Sequence, residues 1–255
     1  MSDPKNESGD AIVAVDIGAT SIKVGRTTSD GELLDEVRRV ATPYPCQPPR
    51  LVEVVSGLIR ASACVRAGVG FPGAMVDGRV LEPGNLSRPG GVTTAVDPSL
   101  ERAWTGFALQ DALCAASKRT VLVVNDATFA ALGCCEGTGR ELVFTLGTGF
   151  GIALVVDGHA VRIRDVGAEM YLDGLTFDEA LGEHARALDP SRWRARVAGA
   201  LAGFVDEFDA DIVHLGGGNA RFRARRAATL LCGLSDVRTA IKSTYFDYFA
   251  VVRNW

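Results

Sequence analysis

The feature that most constrains this chain is an order of apolar segments that occurs twice. From residue 11 the pattern predicts three strands, a helix, a strand, a helix, a strand and a helix. Three strands, helices and a strand follow again from Glu141. The repeat lies in the order of elements and not in residue identity. It predicts an α/β protein made of two similar lobes with a cleft between them.

The predicted elements are bounded by Gly, Pro and Asx turn residues. In the first half, strands are expected at 11–17, 21–27, 32–40, 65–70 and 121–124, and helices at 51–63, 100–116 and 127–135. In the second half, strands are expected at 141–146, 152–156, 160–163 and 212–215, and helices at 176–187, 191–208 and 220–231.

Composition narrows the class of protein. The chain has 255 residues, 47% hydrophobic residues and a net charge of -4, which are typical of a soluble globular protein. This charge predicts no nucleic-acid partner and no anionic membrane surface. Residues 1–10 are polar and acidic, without the apolar core of a signal peptide, and no apolar run is long enough to cross a bilayer. A cytoplasmic location is therefore expected.

The cysteines predict reduced thiols rather than a disulfide or zinc framework. None is in a CxxC pair, and no His lies at zinc-ligand spacing from any of them. The adjacent pair follows a helical run and is expected to pack in the protein. The six residues are Cys46, Cys64, Cys114, Cys134, Cys135 and Cys232.

A first glycine turn joins the first two predicted strands. Asp16 ends one strand, Gly18 lets the backbone approach a ligand, and Thr20 adds a hydroxyl group. Lys23 adds a cation, and Asp16 is a candidate partner for hydrated Mg²⁺. The same residues also fit an ordinary β-hairpin.

Two more glycine turns lie in the second half. The segment with Gly147, Thr148, Gly149 and Gly151 joins two strands, so it is not a dinucleotide-binding motif, in which a helix follows. Successive N–H groups in such a turn suit phosphate oxygens, although a plain hairpin explains it equally well. The third turn, Gly216, Gly217 and Gly218, lies between a strand and a predicted helix, where it suits either a ligand or a helix cap.

A polar pair ends a buried strand of the first half. Asn125 and Asp126 follow the apolar run 121–124 and precede a helix. The carboxyl end of a buried strand is where α/β enzymes place reactive groups. A helix cap formed by Asn125 or Asp126 is the alternative reading of the same residues.

The order and spacing of these motifs together resemble the sugar kinase, actin and heat-shock chaperone superfamily. Within it, the chain resembles the ROK family of sugar kinases, and most of all its polyphosphate- or ATP-dependent glucokinase and glucomannokinase branch. The resemblance covers about residues 11–226. It also includes Gly70-Phe71-Pro72-Gly73 and Asn85-Leu86.

The resemblance implies two tandem RNase H-like, actin-like ATPase lobes, 11–138 and 139–255. It makes Asp126 the general base that takes a proton from the attacking hydroxyl. Asp16 with Mg²⁺ and the first two turns would hold the phosphates of ATP or polyphosphate, and Gly216–Gly218 would lie under a nucleoside. The resemblance implies a hexose or sugar-like polyol as the acceptor. It also implies a homodimer, which is the usual assembly in the family. The residues that the resemblance assigns to acceptor binding are Gly73, Asn85, Asn125, Asp126 and Asp165.

Two departures from the family pattern concern the acceptor and the end of the chain. The sugar-binding Glu-x-Gly-His segment aligns with residues 165–168, where Asp165 is one methylene shorter and Ala168 lacks the imidazole. An acceptor other than plain glucose, such as a modified sugar or cyclitol, is therefore expected. The tail after Leu231 does not align with the family. Both departures also fit a catalytically degenerate pseudokinase that binds sugar or nucleotide as a sensor or scaffold.

Overall fold

A computed structural model of the chain describes residues 11–28 and 33–219, and the backbone of residues 240–242. The chain divides into two compact units between Phe129 and Ala130. This division falls inside a helix and earlier than residue 138. The domain assignment 11–138 and 139–255 stays a prediction.

The first unit begins with a hairpin and continues with strands and helices in alternation. Its elements are β1 (Ile12–Ile17), β2 (Ser21–Thr27), β3 (Arg38–Ala41), α1 (Pro48–Ala61), β4 (Arg66–Phe71), β5 (Ala74–Val76), β6 (Arg79–Glu82), two 3-10 helices (Gly84–Ser87 and Gly91–Thr93), α2 (Pro98–Trp104), α3 (Leu109–Ser117), β7 (Thr120–Asn125) and the start of α4 (Asp126–Cys134).

The main sheet of the first unit has the order β3-β2-β1-β4-β7. β1 runs antiparallel to β2 and parallel to β4, and β4 runs parallel to β7. Asp16 lies opposite Gly70, and Phe71 lies opposite Asn125. The carboxyl ends of three neighbouring strands therefore meet at one edge of this sheet.

The second unit also begins with an antiparallel hairpin, but its helices follow one another before the next strand of the main sheet. It contains β8 (Arg140–Leu146), β9 (Phe150–Val156), β10 (His159–Val161), β11 (Met170–Leu172), β12 (Leu175–Thr176), α5 (Phe177–Leu181), α6 (Glu183–Leu188), α7 (Pro190–Phe208), β13 (Ile212–Gly216) and β14 (Ala240–Lys242).

The main sheet of the second unit has the order β10-β9-β8-β13-β14, with β8 antiparallel to β9 and parallel to β13. It therefore has the strand order and directions of the first sheet. The prediction of an α/β protein is confirmed. The arrangement of two actin-like lobes around a cleft stays a prediction.

Each unit has its own apolar core with a buried tryptophan. In the first unit, Trp104 is buried, and its indole N–H donates to the carbonyl of Cys46 at 2.8 Å. In the second, Trp193 is buried and donates to the carbonyl of Leu181 at 2.6 Å. Burying a large apolar side chain contributes about 1.5–3 kcal/mol. The hydrogen bonds avoid an unsatisfied indole N–H inside the core.

Helix starts in both units are marked by side-chain caps. Asp97 caps α2 by accepting from the N–H groups of Ser99 and Leu100, and Pro98 follows it at the first helical position. Asp189 caps α7 in the same way, again followed by a proline. Such a cap contributes about 1 kcal/mol, so these short sequences define where each helix begins.

The single helix predicted at 100–116 is wrong. The structure has α2 and α3, separated at Thr105–Ala108, because Gly106 has a φ of +79° that an α-helix does not accommodate. The N–H of Gly106 donates to Val80 O, and Val80 N–H donates to Phe107 O. The interruption therefore packs on β6, a strand that the sequence analysis did not predict.

The single helix predicted at 176–187 is also wrong. It is interrupted at Gly182, whose backbone is extended between α5 and α6. A Cβ at Gly182 would lie 2.4 Å from the carbonyl oxygen of Thr148. The interruption therefore brings α5 close to the glycine turn between β8 and β9.

The strand predicted at 32–40 is shorter in the structure. β3 begins at Arg38, and Leu33 forms an isolated bridge with Thr27. Residues 33–36 are exposed, so they lack the alternating burial of a strand. The two-stranded pairs β5–β6 and β11–β12 were not predicted. The helix predicted at 220–231 lies outside the described residues, and so does the tail apart from β14.

None of the described helices combines the length and the apolar character needed to span a bilayer.

The close approach of β13 and β8 generates a first prediction. At Gly217, φ is +87° and an added Cβ would lie 2.4 Å from Leu146 O, whereas at Gly218 the added Cβ would meet no atom within 4 Å. We expect Gly217→Ala to lower the free energy of unfolding by about 2–5 kcal/mol. We expect Gly218→Ala to change it by less than about 0.5 kcal/mol. Urea unfolding of both variants measures the difference, and equal losses would contradict the packing described.

Candidate functional site

The first glycine turn begins beside a buried carboxylate. Asp16 is 3% exposed, and its Oδ2 accepts a hydrogen bond from Lys23 Nζ at 2.8 Å. Burial raises the pKa of Asp16, although the Lys23 ammonium opposes that shift. A Cβ at Gly18 would lie 2.9 Å from Ser21 O, so the tight turn requires glycine there. The carboxyl group of Asp16 is therefore buried at the edge of the sheet, where removal from water disfavours its ionised form.

The carbonyl groups of this turn are held by a later loop. Gly18 O accepts from the Thr42 hydroxyl and Ala19 O from the Tyr44 hydroxyl, each at 2.7 Å. Thr20 O accepts from Thr42 N–H at 3.2 Å. In the part of the chain that the structure describes, no hydrogen bond uses the N–H groups of Ala19 and Thr20. This pattern suits an anion at the turn. Sequence reasoning missed Thr42 and Tyr44, which lie in a proline-rich loop.

The second glycine turn is held by a carboxylate from α5. Asp178 Oδ1 accepts from Phe150 N–H at 2.7 Å. An added Cβ at Gly149 would lie 2.4 Å from the same oxygen, so the turn and the carboxylate fit closely. Burial raises the pKa of Asp178 despite the hydrogen bond from Phe150, and the charge of Asp165 adds to the rise. Sequence reasoning placed Asp178 in a helix and gave it no role.

The structure brings the second and third glycine turns together. Leu146 O accepts from Asn219 N–H at 2.9 Å, and Gly147 O accepts from the Asn219 side chain at 3.1 Å. Gly151 continues into β9 opposite Thr145. Across residues 11–28 and 33–219, no hydrogen bond uses the N–H groups of Thr148 and Gly149. The second turn thus repeats the first: its carbonyl groups are held and its tip N–H groups face no protein acceptor.

At the end of β7, Asn125 braces the start of α4. Its Oδ1 accepts from Ala127 N–H at 2.9 Å, and its Nδ2 donates to Gly73 O at 3.1 Å. Both ends of the amide are used within the protein, so the alternative reading of a helix cap is confirmed. Asp126 is the first residue of α4 and is partly exposed. Its Oδ1 accepts from Ala127 N–H at 2.8 Å.

The predicted acceptor residues of the first unit lie close together. A Cβ at Gly73 would lie 2.1 Å from Glu82 O, and one at Gly84 would lie 2.3 Å from Pro72 O. The β5–β6 hairpin therefore returns the chain to Gly73, just before Asn85. Because Asn125 also bonds to Gly73, three of the predicted residues share one region of the first unit.

The segment that aligns with the family's sugar-binding motif is exposed at both of its altered positions. Asp165 Oδ1 accepts from Gly167 N–H at 3.1 Å, and both Asp165 and Ala168 are exposed. Glu169 is 3.1 Å from the guanidinium of Arg164. The carboxylate of Glu169 is thus engaged in a solvent-exposed ion pair.

The two units therefore carry different chemistry. The first combines a glycine turn whose tip N–H groups have no acceptor among the described residues, a buried carboxylate, a partly exposed carboxylate at a helix start and a tight glycine contact. The second combines two packed glycine turns with the carboxylate of Asp178, a residue that is exposed on its outer side. Backbone N–H groups suit phosphate oxygens, and carboxylates suit a proton transfer or a hard cation.

The sequence and the fold of this chain are similar to those of known proteins. The model of the ROK family matches residues 12–170, more than half of the chain. A glucokinase from Thermotoga maritima is 27% identical over 168 residues, 62% of this chain and 49% of the relative. An N-acetyl-D-glucosamine kinase from Photobacterium profundum is 33% identical over 185 residues, 67% of this chain and 55% of the relative. The chain spans about half the length of the curated relatives it matches.

A solved structure agrees over a larger part of the chain. The inorganic polyphosphate/ATP-glucomannokinase from Arthrobacter sp. strain KM is 29% identical, with a TM-score of 0.69 over 91% of each chain. The family match, the repeated sheets and the order of the glycine turns agree with one another. The chain belongs to the ROK family.

Proposed function

We propose that this chain is a carbohydrate kinase that transfers a phosphoryl group from ATP or polyphosphate to a hydroxyl of a hexose or sugar-like polyol. The observation that carries the proposal is the position of Asp126. It begins α4 where β7 ends, next to Asn125, which bonds to Gly73. A partly exposed carboxylate among glycines and an amide suits a hydroxyl acceptor.

Asp126 acts as the general base in this proposal. Phosphoryl transfer requires in-line positioning and charge neutralisation more than covalent chemistry. Asp126 accepts the proton of the attacking hydroxyl and orients its oxygen. The Asn125 cap fixes the first turn of α4, and so it fixes the backbone from which Asp126 extends.

The donor is held by the glycine turns and a cation. The tip N–H groups of each turn donate to phosphate oxygens. Asp16 would hold Mg²⁺, because a carboxylate oxygen is a hard donor. Lys23 already donates a hydrogen bond to Oδ2 of Asp16, which favours an ion that keeps its water shell. Bound Mg²⁺ neutralises the charge of the donor phosphates. Gly216–Gly218 adjoins the second turn and is assigned to the nucleoside side of ATP.

A basic cluster on α7 bears on the choice of donor. Arg192 and Arg196 would suit polyphosphate, but both guanidinium groups bind the carboxylate of Asp173, at 2.9 and 2.8 Å. Part of their charge is thus neutralised within the protein. The cluster therefore does not distinguish ATP from polyphosphate as the donor.

The acceptor is bound by Gly73, Asn85 and Asp126 in the first unit, with Asn125 as their brace. The family alignment also assigns Asp165 to the acceptor. Ala168 has no imidazole that could bond to a sugar hydroxyl, and the carboxylate of Glu169 is paired with Arg164. The proposed acceptor is therefore a modified sugar or a cyclitol rather than plain glucose.

The same altered segment supports a second candidate function. A pseudokinase that binds a sugar or nucleotide would tolerate the loss of the imidazole at position 168. Against it, Asp16, Asp126 and both phosphate turns are present with well-defined backbone contacts. The two candidates differ in turnover, which the first experiment below measures.

Replacing Asp126 is the most direct test. We expect Asp126→Asn to lower kcat by about 10²–10⁴-fold, because the amide cannot accept the proton. The affinity for the donor should change little. The assay is phosphoryl transfer from ATP, and separately from polyphosphate, to a panel of hexoses, amino sugars and cyclitols with Mg²⁺.

The matched control is Asp111→Asn, which alters an exposed carboxylate on α3 in the same unit. It should leave kcat unchanged. Full turnover by Asp126→Asn would remove Asp126 as the base. Binding without turnover for every donor and acceptor pair in the unchanged protein would favour the pseudokinase.

Replacing Asp16 tests whether this carboxylate serves the activity of the protein or its stability. Because burial raises the pKa of Asp16, the folded protein binds its proton more tightly than the unfolded chain does. The stability of the unchanged protein should therefore fall as pH rises from 3.8, the ordinary pKa, through the raised value. We expect Asp16→Asn to be at least as stable at pH 7.5 while kcat falls. Urea unfolding across pH, together with the kinase assay, measures both effects.

A carboxylate with the opposite shift provides the control. Arg26 lowers the pKa of the exposed Asp35, so its contribution to stability is present above pH 3.8 and is lost as pH falls. Asp35→Asn should therefore be slightly less stable at pH 7.5 and fully active. A large loss of stability in Asp16→Asn would instead show that the Asp16–Lys23 pair is mainly structural.

A homodimer in the cytoplasm is part of the same proposal, by likeness to the family. Light scattering of the purified chain gives its mass in solution, and a mass of one chain would contradict the dimer.

A further inference from the structure

Three buried side chains meet in the second unit, one of them two residues before the third glycine turn. Cys135 follows α4, Glu141 lies at the start of β8, and His214 lies in β13. Their exposed fractions are 6%, 0% and 1%. β13 is parallel to β8, with Ile212 opposite Glu141, so Glu141 and His214 are diagonal neighbours on one face of the sheet.

The potential ligand atoms of this cluster are close to one another. His214 Nε2 lies 2.8 Å from Glu141 Oε2, and the thiol of Cys135 hydrogen-bonds to the imidazole. One ligand atom from each residue lies within 4.8 Å of the other two. Ligand atoms around a tetrahedral zinc ion are roughly 3.3–3.8 Å apart. Small side-chain movements therefore suffice to surround a cation.

The carboxylate of Glu141 accepts hydrogen bonds from the backbone of the loop between α4 and β8. It accepts from the N–H groups of Glu136 at 2.8 Å, Gly137 at 2.6 Å and Thr138 at 3.3 Å. Hydrogen bonds of this kind orient the carboxylates that bind metals in proteins. The loop between α4 and β8 thus fixes one ligand and follows directly from another, Cys135.

The chemistry of the cluster selects the kind of cation. Thiolate, imidazole and carboxylate together suit zinc, whereas magnesium and calcium prefer oxygen ligands alone. A thiolate and a carboxylate carry two negative charges, which a divalent cation balances inside a buried site. Three protein ligands leave a fourth tetrahedral position, which water fills in zinc sites of this kind.

We propose that Cys135, Glu141 and His214 form a binding site for Zn²⁺ that ties the end of α4 to β8 and β13. The site is independent of the proposed kinase chemistry and of its Mg²⁺. A buried His–Glu pair without a metal would also need Glu141 and His214. It would not need the thiol, so Cys135 distinguishes the two explanations.

The test is a titration of the full-length, chelator-treated chain with Co²⁺ as a spectroscopic probe for zinc. We expect one Co²⁺ per chain, tetrahedral visible bands and a sulfur-to-cobalt charge-transfer band in the near ultraviolet. Cys135→Ser should remove the charge-transfer band and weaken binding by roughly tenfold or more. Circular dichroism verifies that the variant is folded.

The control is Cys114→Ser, which alters a partly buried thiol of the first unit that contacts Val121 O. It should keep the band and the affinity. No charge-transfer band in the unchanged protein, or a band that survives Cys135→Ser, would overturn the proposal. Loss of the band in Cys134→Ser with retention in Cys135→Ser would overturn the assignment of the ligand.

X-ray absorption of the zinc-loaded, unchanged protein gives a result that does not depend on any variant. One sulfur and two or three nitrogen or oxygen neighbours would support the site. A shell of oxygen and nitrogen alone would overturn it.

Discussion

The parallel pairing of β1, β4 and β7 is the constraint on which the candidate site of the first unit depends. Parallel strands end at a common edge, so residues far apart in sequence become neighbours without any local signal. Asp16, Gly70 and Asn125 owe their proximity to this register. A slip of one residue in β7 would turn Asn125 to the other face of the sheet and release the bond to Gly73.

In each unit a carboxylate lies against a glycine turn: Asp16 is buried, whereas Asp178 is exposed on its outer side. Asp16 and Asp178 both have pKa values raised mainly by burial, and both lie against glycine turns. A chain under selection for stability alone would place neutral groups there. Ionisable groups kept in desolvated positions beside anion-binding backbone are typical of functional sites. Asp178 holds its turn through Phe150 N–H, so it positions the backbone whether or not it meets a ligand.

Much of the fold was predictable from local patterns. Strands β1, β2, β4, β7, β8 and β13 and helices α1 and α7 produce strong apolar periodicity. The interruptions at Gly106 and Gly182 were missed, because each depends on a contact with a distant segment. The same limit applies to Thr42, Tyr44 and Asp178. Glu141 and His214 are 73 residues apart, so no spacing rule would find them.

The first glycine turn has a consequence for any attempt to transplant it. Its sequence motif ends within about ten residues, but its carbonyl groups are oriented by Thr42 and Tyr44, beyond the next strand. A peptide covering the hairpin alone would keep every residue of the motif and lose what orients it. The conformation of this turn is thus a property of a segment that extends to Tyr44, well beyond the residues of the motif.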